Sequence, residues 1–312
     1  MFCLWILWRH GRNVHAFKAA GATALALASF LVLPAPAASG SDAATGGETP
    51  DKSGYTLLNP TPRSLLRELS TDRPDKTEGP YTVDAGHFQL EMDLVSYVRD
   101  RDKSGGGDTR TETWAVAPVN LKLGLFHDVD LQLAIDTYTN LRTEDLVAGT
   151  TDRRSGFGDM TLRLKKNFWG NDGGKTSFAM MPFLKFPTNQ HDLGNHAVEG
   201  GVIFPLALKL PAGWDMGLMT EVDFLRNETD KGYHASSINS ITFGHDIVGN
   251  LGGYLEFFSE VSAEDGLPWV GTVDTGLTYG ITDNMQLDAG INIGVTEAAD
   301  DLNLFLGFSW RY

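Results

Sequence analysis

The stretch that decides the fold is Asp301-Leu302-Asn303-Leu304-Phe305-Leu306-Gly307-Phe308-Ser309-Trp310-Arg311-Tyr312, at the end of the sequence. Large apolar side chains occupy every second position from Leu302 to Tyr312, and the alternate positions are mostly polar or glycine. Because successive side chains of a β-strand point to opposite faces, this pattern predicts a strand with one apolar face. An aromatic pair at one end of the strand is typical of a membrane-barrel girdle, with a soluble sandwich strand as the alternative.

The same stretch resembles the C-terminal signature of bacterial outer-membrane barrels, a closing strand that ends in an aromatic residue. The resemblance implies a location in the outer membrane of a Gram-negative bacterium, in contact with outer-membrane lipid. It also implies that the barrel-assembly machinery engages the protein through this C-terminal strand.

The composition excludes several other classes of protein. The 312 residues carry a net charge of −15 and contain no run of Lys and Arg, so a nucleic-acid partner is not expected. The single cysteine, Cys3, lies in a segment that we expect to be removed. The mature protein would then have no disulfide and no cysteine-ligated metal, and nothing in the sequence predicts a cofactor.

The beginning of the sequence has the pattern of a secretory signal. Residues 1–18 carry three basic and no acidic side chains, Ala19–Leu33 is small and apolar throughout, and Ala35-Pro36-Ala37 supplies an Ala-x-Ala cleavage pattern. The apolar run is shorter than the roughly 20 residues that span a bilayer as a helix. We therefore predict a signal peptide over residues 1–37.

A second N-terminal segment, residues 38–85, is expected to precede a barrel formed by residues 86–312. Its first part, up to Lys52, is rich in small and polar residues and predicts a flexible leader. Ser64–Leu69 has the composition of one or two helical turns, and the polar, proline-broken run Thr71–Glu78 predicts an ordered loop at the periplasm or in the lumen.

From His87 onward, apolar and polar residues alternate in twelve segments, of which 236–245 is the least clear. The connections between segments alternate between long and short. The long ones centre on Lys103, Thr143, Asp192, Asp230, Asp265 and Ala299, and the short ones are Gly124–Asp128, Gly170–Lys175, Pro211–Trp214, Asp246–Gly252 and Ile281–Asn284. Outer-membrane barrels have short periplasmic turns, longer outer loops and an even strand number. The pattern therefore predicts an all-β fold, a transmembrane antiparallel β-barrel of about twelve strands.

Three motifs resemble a known family. They are Ser70–Val83 (Ser-Thr-Asp-Arg-Pro-Asp-Lys-Thr-Glu-Gly-Pro-Tyr-Thr-Val) followed by Gly86–Glu91, Gly156–Asp159 leading into Leu162–Lys165, and Phe183–Thr188. The sequence is similar, from about Asn59 onward, to the outer-membrane transporters associated with the meta-pathway of phenol degradation. The resemblance implies an outer-membrane barrel with a transport role and assigns no site residues.

A charged cluster, Asp72, Arg73, Asp75 and Glu78, lies directly before the first strand. One interpretation is a plug or gate in which Arg73 pairs with an acidic group inside the lumen. The alternative is a periplasmic turn in which Asp72 and Asp75 bind local backbone amides.

Charged residues on the polar faces of the strands are the second set of candidates. The lumen-lining candidates are Glu91, Asp93, Lys122, Asp130, Asp136, Arg163, Lys165, Lys185, Lys209, Glu221, Asp223, Glu256, Asp288 and Arg311, with Arg99 also placed on this face. They predict either a ladder that guides a solute or a network that only satisfies buried charge. A barrel of twelve strands lies between a filled interior and an open pore, so a narrow, partly blocked path is expected.

His234 and Ser236 share a strand face and are the strongest enzymatic hint. A triad needs a third group that orients the imidazole, but Asn239 has the opposite parity and Asn250 falls in a distant turn. No catalytic residue is therefore predicted, and no metal site. The expected function is passive passage of a small solute, with aromatic or hydrophobic molecules as candidates. The rivals are a lipid hydrolase using His234 and Ser236, and a sealed structural barrel.

Overall fold

The computed structural model describes residues 50–227 and 230–312, so the predicted signal peptide lies outside the described residues. β-strands are the main regular structure of the described chain. The strands are β1 (Phe88–Asp102), β2 (Thr109–Val116), β3 (Val119–Phe126), β4 (Val129–Ile135), β5 (Tyr138–Asp145), β6 (Thr150–Gly156), β7 (Met160–Trp169), β8 (Thr176–Phe186), β9 (Glu199–Lys209), β10 (Trp214–Arg226), β11 (Tyr233–Val248), β12 (Leu251–Ser262), β13 (Val270–Thr282), β14 (Met285–Gly294) and β15 (Leu302–Arg311).

The strands form one antiparallel sheet that closes into a barrel, because β15 pairs with β1. Three crossings of the wall are each made by two strands in line: β2 with β3, β4 with β5, and β6 with β7. Counting each of these pairs once gives twelve crossings, and the predicted twelve-stranded antiparallel barrel is confirmed.

Helices contribute little to the described part of the chain. The only helical turns there are the 3₁₀ segments Arg63–Leu65, Ser104–Gly106 and Pro211–Gly213. Within residues 50–227 and 230–312, no helix has the length and apolar character needed to cross a membrane. The helical turns predicted over Ser64–Leu69 are therefore wrong except at their first residues.

The outer face of the barrel carries exposed apolar side chains between two aromatic belts. The belt at the short-turn end consists of Phe88, Phe126, Trp169, Trp214, Tyr279 and Tyr312, and the belt at the long-loop end consists of Trp114, Tyr138, Phe186, Tyr233 and Trp269. The predicted faces of β15 are confirmed, since Leu304 and Leu306 are exposed whereas Phe305 and Gly307 are buried. An apolar band between aromatic girdles is the lipid-facing surface of a membrane barrel.

One prediction about the long-loop end is wrong. Thr143 is not at the centre of a loop but lies in β5, which pairs with β2 over its full length. The sequence there is polar on both faces, so the alternation that marks a lipid-facing strand is missing. The segment 236–245, the least clear in sequence, belongs to β11, the longest strand at 16 residues.

The barrel wall is irregular at one level across four neighbouring crossings. Ala117, with φ of 56°, and Pro118 interrupt the second crossing, and the amide of Asp93 on β1 donates to the Pro118 carbonyl at 3.1 Å. At this level β1 has a bulge between Asp93 and Val95. A single extra residue reverses the faces of every later side chain. Arg99 is consequently exposed rather than lumenal, and its predicted placement is wrong.

Candidate functional site: the N-terminal segment inside the barrel

Residues 70–83, called here the lumen segment, run through the interior of the barrel. The carbonyl oxygens of Ser70 and Pro80 accept hydrogen bonds from wall side chains, at 2.8 Å from Gln89 Nε2 and 2.9 Å from Asn167 Nδ2. The backbone amide of Val83 donates to Asp130 at 3.0 Å. Since Gln89, Asn167 and Asp130 are inward-facing strand residues, the wall itself holds the backbone of this segment.

Below the lumen segment, residues 50–69 close the short-turn end. Asp84 lies within 3.4 Å of Lys52 and 3.3 Å of Arg67, and Arg311 donates to the carbonyl of Arg67 at 2.8 Å. Arg67 and Lys52 also reach Asp172, in the turn between β7 and β8, at 2.9 and 2.7 Å. Lys52, predicted as the end of a flexible leader, is therefore buried in an ion-pair network.

Asp72 lies between two buried lysines of the wall. Both of its carboxylate oxygens are 2.7 Å from Lys165 Nζ, and one is 2.5 Å from Lys122 Nζ. Lys122 also pairs with Glu91. Burial acts to raise the pKa of Asp72, but the charges of Lys122 and Lys165 outweigh it and hold this pKa well below its usual range. Asp72 is therefore ionised and is the main electrostatic anchor on this side of the lumen.

Arg73 makes the corresponding contacts on the opposite side. Its guanidinium is 2.5 Å from Asp93 on β1 and 2.7 Å from Asp288 on β14, and it lies 5.6 Å from the ring centroid of Phe305. Burial acts to lower the pKa of Arg73, but the two carboxylates outweigh this and raise it. Asp93 and Asp288 were both predicted to line the lumen, and the structure brings them together through Arg73.

Lys76 and Thr77 bind the wall formed by β11, β12 and β13. Their backbone amides both donate to the carboxylate of Glu256, at 2.9 and 2.7 Å, and Thr77 Oγ1 lies 2.7 Å from Ser240 Oγ. The ammonium of Lys76 is 3.1 Å from Asp274. A carboxylate that receives two backbone amides fixes the segment as firmly as an ion pair, because hydrogen bonds to charged groups are the stronger ones.

Glu78 and Asp75 complete the predicted cluster but have different surroundings. Glu78 pairs with Arg163 at 2.8 Å. Asp75 has no ion pair among the residues that the structure describes, and it borders an internal cavity. Burial raises the pKa of Asp75 to about 7, and the neighbouring negative charges of Asp72 and Glu78 add to the shift. Burial thus disfavours the charge of Asp75, and this carboxylate has no ion pair among the described residues to offset the effect.

The predicted lumen-lining residues are buried with one exception. Lys209 is exposed and pairs at 2.8 Å with Asp215, also exposed, at the short-turn end. Lys209 has the strand parity of an inward-facing residue, but it lies beyond the end of the barrel interior. Its predicted placement in the lumen is therefore wrong. Lys185 shows a pairing within the wall, at 2.5 Å from Glu199 and 3.5 Å from Asp159.

A cavity, called here the lumen cavity, lies between the lumen segment and the wall. Asp75, Glu78, Arg163 and Glu221 line it, together with apolar side chains of the wall. Three of these apolar side chains, Met219, Ile238 and Phe258, belong to a buried, inward-facing cluster that was not predicted from the sequence. The cluster consists of Met181, Phe183, Ile203, Met219, Ile238 and Phe258. The sequence did contain a signal for this cluster. Met219 has the same strand parity as Glu221, so it falls on the face that was assigned to polar, lumen-lining residues.

His234 and Ser236 are engaged with acidic groups. The hydroxyl of Ser236 donates to Glu260 at 2.7 Å, and His234 Nδ1 lies 3.3 Å from Glu264. The run Ser104–Gly106 forms a 3₁₀ turn at the tip of the loop between β1 and β2. Throughout the described ranges, no group of three or more His, Cys, Asp or Glu side chains is arranged to hold a metal ion.

The chain is similar to three solved structures of outer-membrane proteins. The COG4313 outer membrane channel from Pseudomonas putida F1 has a TM-score of 0.57 and 13% identity, over 78% of this chain and 100% of that one. A TodX monoaromatic hydrocarbon channel mutant has a TM-score of 0.46 and 11% identity, over 84% and 100% of the two chains. The translocator domain of the autotransporter NalP from Neisseria meningitidis has a TM-score of 0.43 and 8% identity, over 72% and 88%.

No curated protein matches the chain. A family model does match, over residues 71–312, which include the lumen segment almost completely and the entire barrel. The match, the closed twelve-crossing barrel and its apolar outer face place the protein in the outer membrane of a Gram-negative bacterium. The chain belongs to the family described as "Putative MetA-pathway of phenol degradation".

Proposed function

We propose that the protein is an outer-membrane channel for the passive passage of a small, apolar solute, and that residues 70–83 are its plug. The barrel supplies the path across the membrane, and the lumen cavity supplies space beside the plug. Passage requires no turnover chemistry in this mechanism, because the solute moves down its own gradient.

The observation that carries the proposal is how the lumen segment is held. Residues 70–83 contain no strand residue and are attached to the wall by side-chain hydrogen bonds and ion pairs. A segment that joined the sheet would be part of the wall, whereas this one can leave the lumen without disturbing any strand pairing. Buried ion pairs are also only weakly stabilising overall, since desolvation opposes their attraction. Such a segment suits a plug that is displaced and returns.

The apolar cluster in the lumen supports an apolar solute. A water-filled pore for polar solutes has a polar interior, whereas here buried Met181, Ile203 and Ile238 face inward. Small-molecule sites combine apolar side chains with polar groups that orient the ligand. The lumen cavity has both, because Met219, Ile238 and Phe258 line it together with charged residues.

The test is single-channel conductance of the refolded protein in a planar bilayer, using residues 38–312 and a version that lacks residues 38–80. Small, infrequent steps with residues 38–312 and larger, more frequent steps after truncation are the expected results. Steps of equal size in both proteins would contradict the plug. Silence in both would contradict the channel and favour a sealed structural barrel.

A second variant covers the possibility that the truncated protein does not fold. Arg73→Gln keeps the whole segment but removes the charge that pairs with Asp93 and Asp288. Two buried carboxylates without a counter-ion favour release of the segment, so this variant should open more often than the unchanged protein. Liposome swelling with neutral aromatic solutes then reports on passage independently of ion conductance.

A further inference from the structure

The outer face of β1, β2, β5 and β6 carries a concentration of arginines above the aromatic belt at the long-loop end. Residues that lie opposite one another in a strand register share a face of the sheet. Arg99 is opposite Glu112, Glu112 is opposite Arg142, and Arg142 is opposite Arg153. The five arginines on this face, called here the arginine patch, are Arg99, Arg101, Arg110, Arg142 and Arg153.

The height of the arginine patch follows from the aromatic belt. Trp114 is 49% exposed in that belt and lies opposite Tyr97, with the two ring centroids 4.6 Å apart. Arg99 and Glu112 follow two residues further out on the same strand faces, which is about 7 Å along the strands. The head-group layer of a bilayer is about 5–8 Å thick on each side. The patch therefore begins at the height of the lipid head groups.

The carboxylates on this face are too few to neutralise the arginine patch. They are Glu112 and Glu144, joined by Asp108 from the loop between β1 and β2. Glu144 binds both Arg110 and Arg142. Glu112 binds Arg142 at 3.2 Å and accepts a hydrogen bond from the Tyr97 hydroxyl at 3.0 Å. Five arginines against three carboxylates leave an excess of two positive charges, in a chain whose net charge is −15.

The unpaired charge lies at the two ends of one row of the patch. Arg99 and Arg153 are exposed and have no ion pair among the residues that the structure describes. They are three strand spacings apart, about 14 Å across the sheet. The paired side chains of Arg101, Arg110 and Arg142 are still 38%, 34% and 33% exposed. Because a guanidinium has five N–H donors, each of these arginines keeps donors for a ligand.

The arginine patch borders the lipid-facing surface directly. Arg99 is opposite Leu302 of β15, and Leu302 is opposite Ile293 of β14, which is 46% exposed. Leu304, the next outward residue of β15 toward the membrane centre, is 42% exposed. A ligand at the patch can therefore place acyl chains against the barrel while its head group reaches the arginines.

We infer that the arginine patch binds the phosphorylated head group of an outer-leaflet glycolipid, which is lipopolysaccharide in a Gram-negative outer membrane. The long loops mark the outer side of such a barrel. Phosphate is the expected anion, because guanidinium groups bind its oxygens through pairs of parallel hydrogen bonds. A head group with two separated phosphates meets both unpaired arginines, Arg99 and Arg153. The inference is independent of the proposed function, because the patch lies on the outer surface and not in the lumen.

The test is lipid binding to the refolded protein, residues 38–312, in detergent, measured by native mass spectrometry. The probes are lipid A with two phosphates, dephosphorylated lipid A, phosphatidylglycerol and inorganic phosphate. Lipid A should bind about tenfold or more tightly than its dephosphorylated form, as expected for hydrogen bonds to a charged group. It should also bind more tightly than phosphatidylglycerol, which carries one phosphate. Inorganic phosphate at millimolar concentration should not displace lipid A, because it has no acyl chains to contact the barrel.

Two double variants separate the arginine patch from general attraction to an anionic lipid. Arg99→Gln with Arg153→Gln removes the two unpaired charges and should lower the affinity for lipid A about tenfold or more. Arg63→Gln with Lys209→Gln is the matched control, because it removes two exposed positive charges at the short-turn end. Its affinity for lipid A should equal that of the unchanged protein. All four side chains are exposed, and heat-dependent mobility on a gel checks that each barrel is folded.

Several results would overturn the inference. They are absence of lipid A binding, equal binding of lipid A and its dephosphorylated form, or equal affinity in the two double variants. Phosphatidylglycerol that binds as tightly as lipid A would contradict the assignment to an outer-leaflet glycolipid. Displacement by inorganic phosphate would show a site for a free anion and contradict the lipid. Conductance of the same preparations should be equal in the unchanged protein and in both double variants, which keeps this test separate from that of the channel.

Discussion

Gly307 leaves the space that the guanidinium of Arg73 occupies. A Cβ added at Gly307 would lie 1.8 Å from Arg73 Nη2, well inside any allowed contact. Gly307 lies on β15 opposite Asp93 of β1 and Asp288 of β14, the two carboxylates to which Arg73 is bound. Because Gly307 has no side chain, the closing strand of the barrel leaves room for Arg73 of the lumen segment.

Gly307→Ala should therefore move the Arg73 guanidinium away from Asp93 and Asp288 and make channel opening more frequent. Loss of a buried ion pair costs about 3–5 kcal/mol, so a partial displacement is enough to change the occupancy of the lumen. Single-channel recording measures the opening frequency. Gly280→Ala on β13 is the matched control, because a Cβ there would meet no atom closer than 3.7 Å. An opening frequency equal to that of the control would contradict the role given to Gly307.

Asp72→Asn should loosen the lumen segment at its other anchor. The substitution leaves Lys165 and Lys122, both buried, without the carboxylate that now lies between them. The expected loss in docking free energy is about 3–5 kcal/mol. This loss should be measurable as faster cleavage of the lumen segment by an added protease and as larger conductance steps.

Asp215→Asn is the control for removing a paired aspartate. Asp215 pairs with Lys209 at 2.8 Å, but both side chains are more than half exposed. Exposed pairs contribute about 0–1 kcal/mol, so this variant should behave like the unchanged protein. If the two aspartate variants are equally protease-sensitive, the Asp72 anchor is not what holds the segment.

The sequence predicts the barrel well because a period of two residues is a local signal. The alternation in Leu302–Arg311 is visible without knowing any partner strand, and its two faces are found as predicted. The alternation shows which face of the strand a residue lies on but not its position along the barrel axis. For this reason the predicted lumenal position of Lys209 is wrong. The signal also fails after a bulge, which is why the predicted inward position of Arg99 is wrong. It is weak in the mostly polar strand around Thr143.

The partners of the lumen residues could not be predicted from the sequence in the same way. Arg73 binds Asp288, 215 residues further along the chain. Which acid it meets depends on the register of every strand and on the path of a segment without regular structure. The prediction that Arg73 pairs with a lumenal acid needed only its charge, whereas the identity of that acid needs the closed barrel. The inward apolar cluster is not predicted either, because strand parity assigns a face but does not require every side chain on that face to be polar.

Opening should become more frequent as the pH rises from about 5 to 8. The pKa of Asp75 in the docked segment is raised to about 7 from the ordinary value of 3.8, first by burial and then by Asp72 and Glu78. The docked state therefore binds this proton more tightly than the released state does. That contribution to docking is fully present below about pH 4 and is lost as the pH rises through about 7.

Asp75→Asn is the variant that isolates this effect, because an amide is neutral throughout the range. Its opening frequency should change less between pH 5 and 8 than that of the unchanged protein. The raised pKa of Glu78 acts in the same direction and leaves a smaller residual dependence. The lowered pKa of Asp72 acts only in more acidic solution, where docking weakens as the pH falls. An unaltered pH profile in Asp75→Asn would exclude Asp75 as the titrating group.

Ser236→Ala distinguishes a structural hydroxyl from a nucleophile. The Ser236 hydroxyl donates to the buried carboxylate of Glu260, so its removal should lower the free energy of unfolding by about 1–3 kcal/mol. Conductance and solute passage should stay unchanged, and phospholipid hydrolysis should be at background level both before and after the substitution. Refolding yield and urea denaturation in lipid vesicles measure the first effect, and release of fatty acid measures the last. Hydrolysis by the unchanged protein that disappears in Ser236→Ala would instead establish the lipid hydrolase and remove the purely passive mechanism.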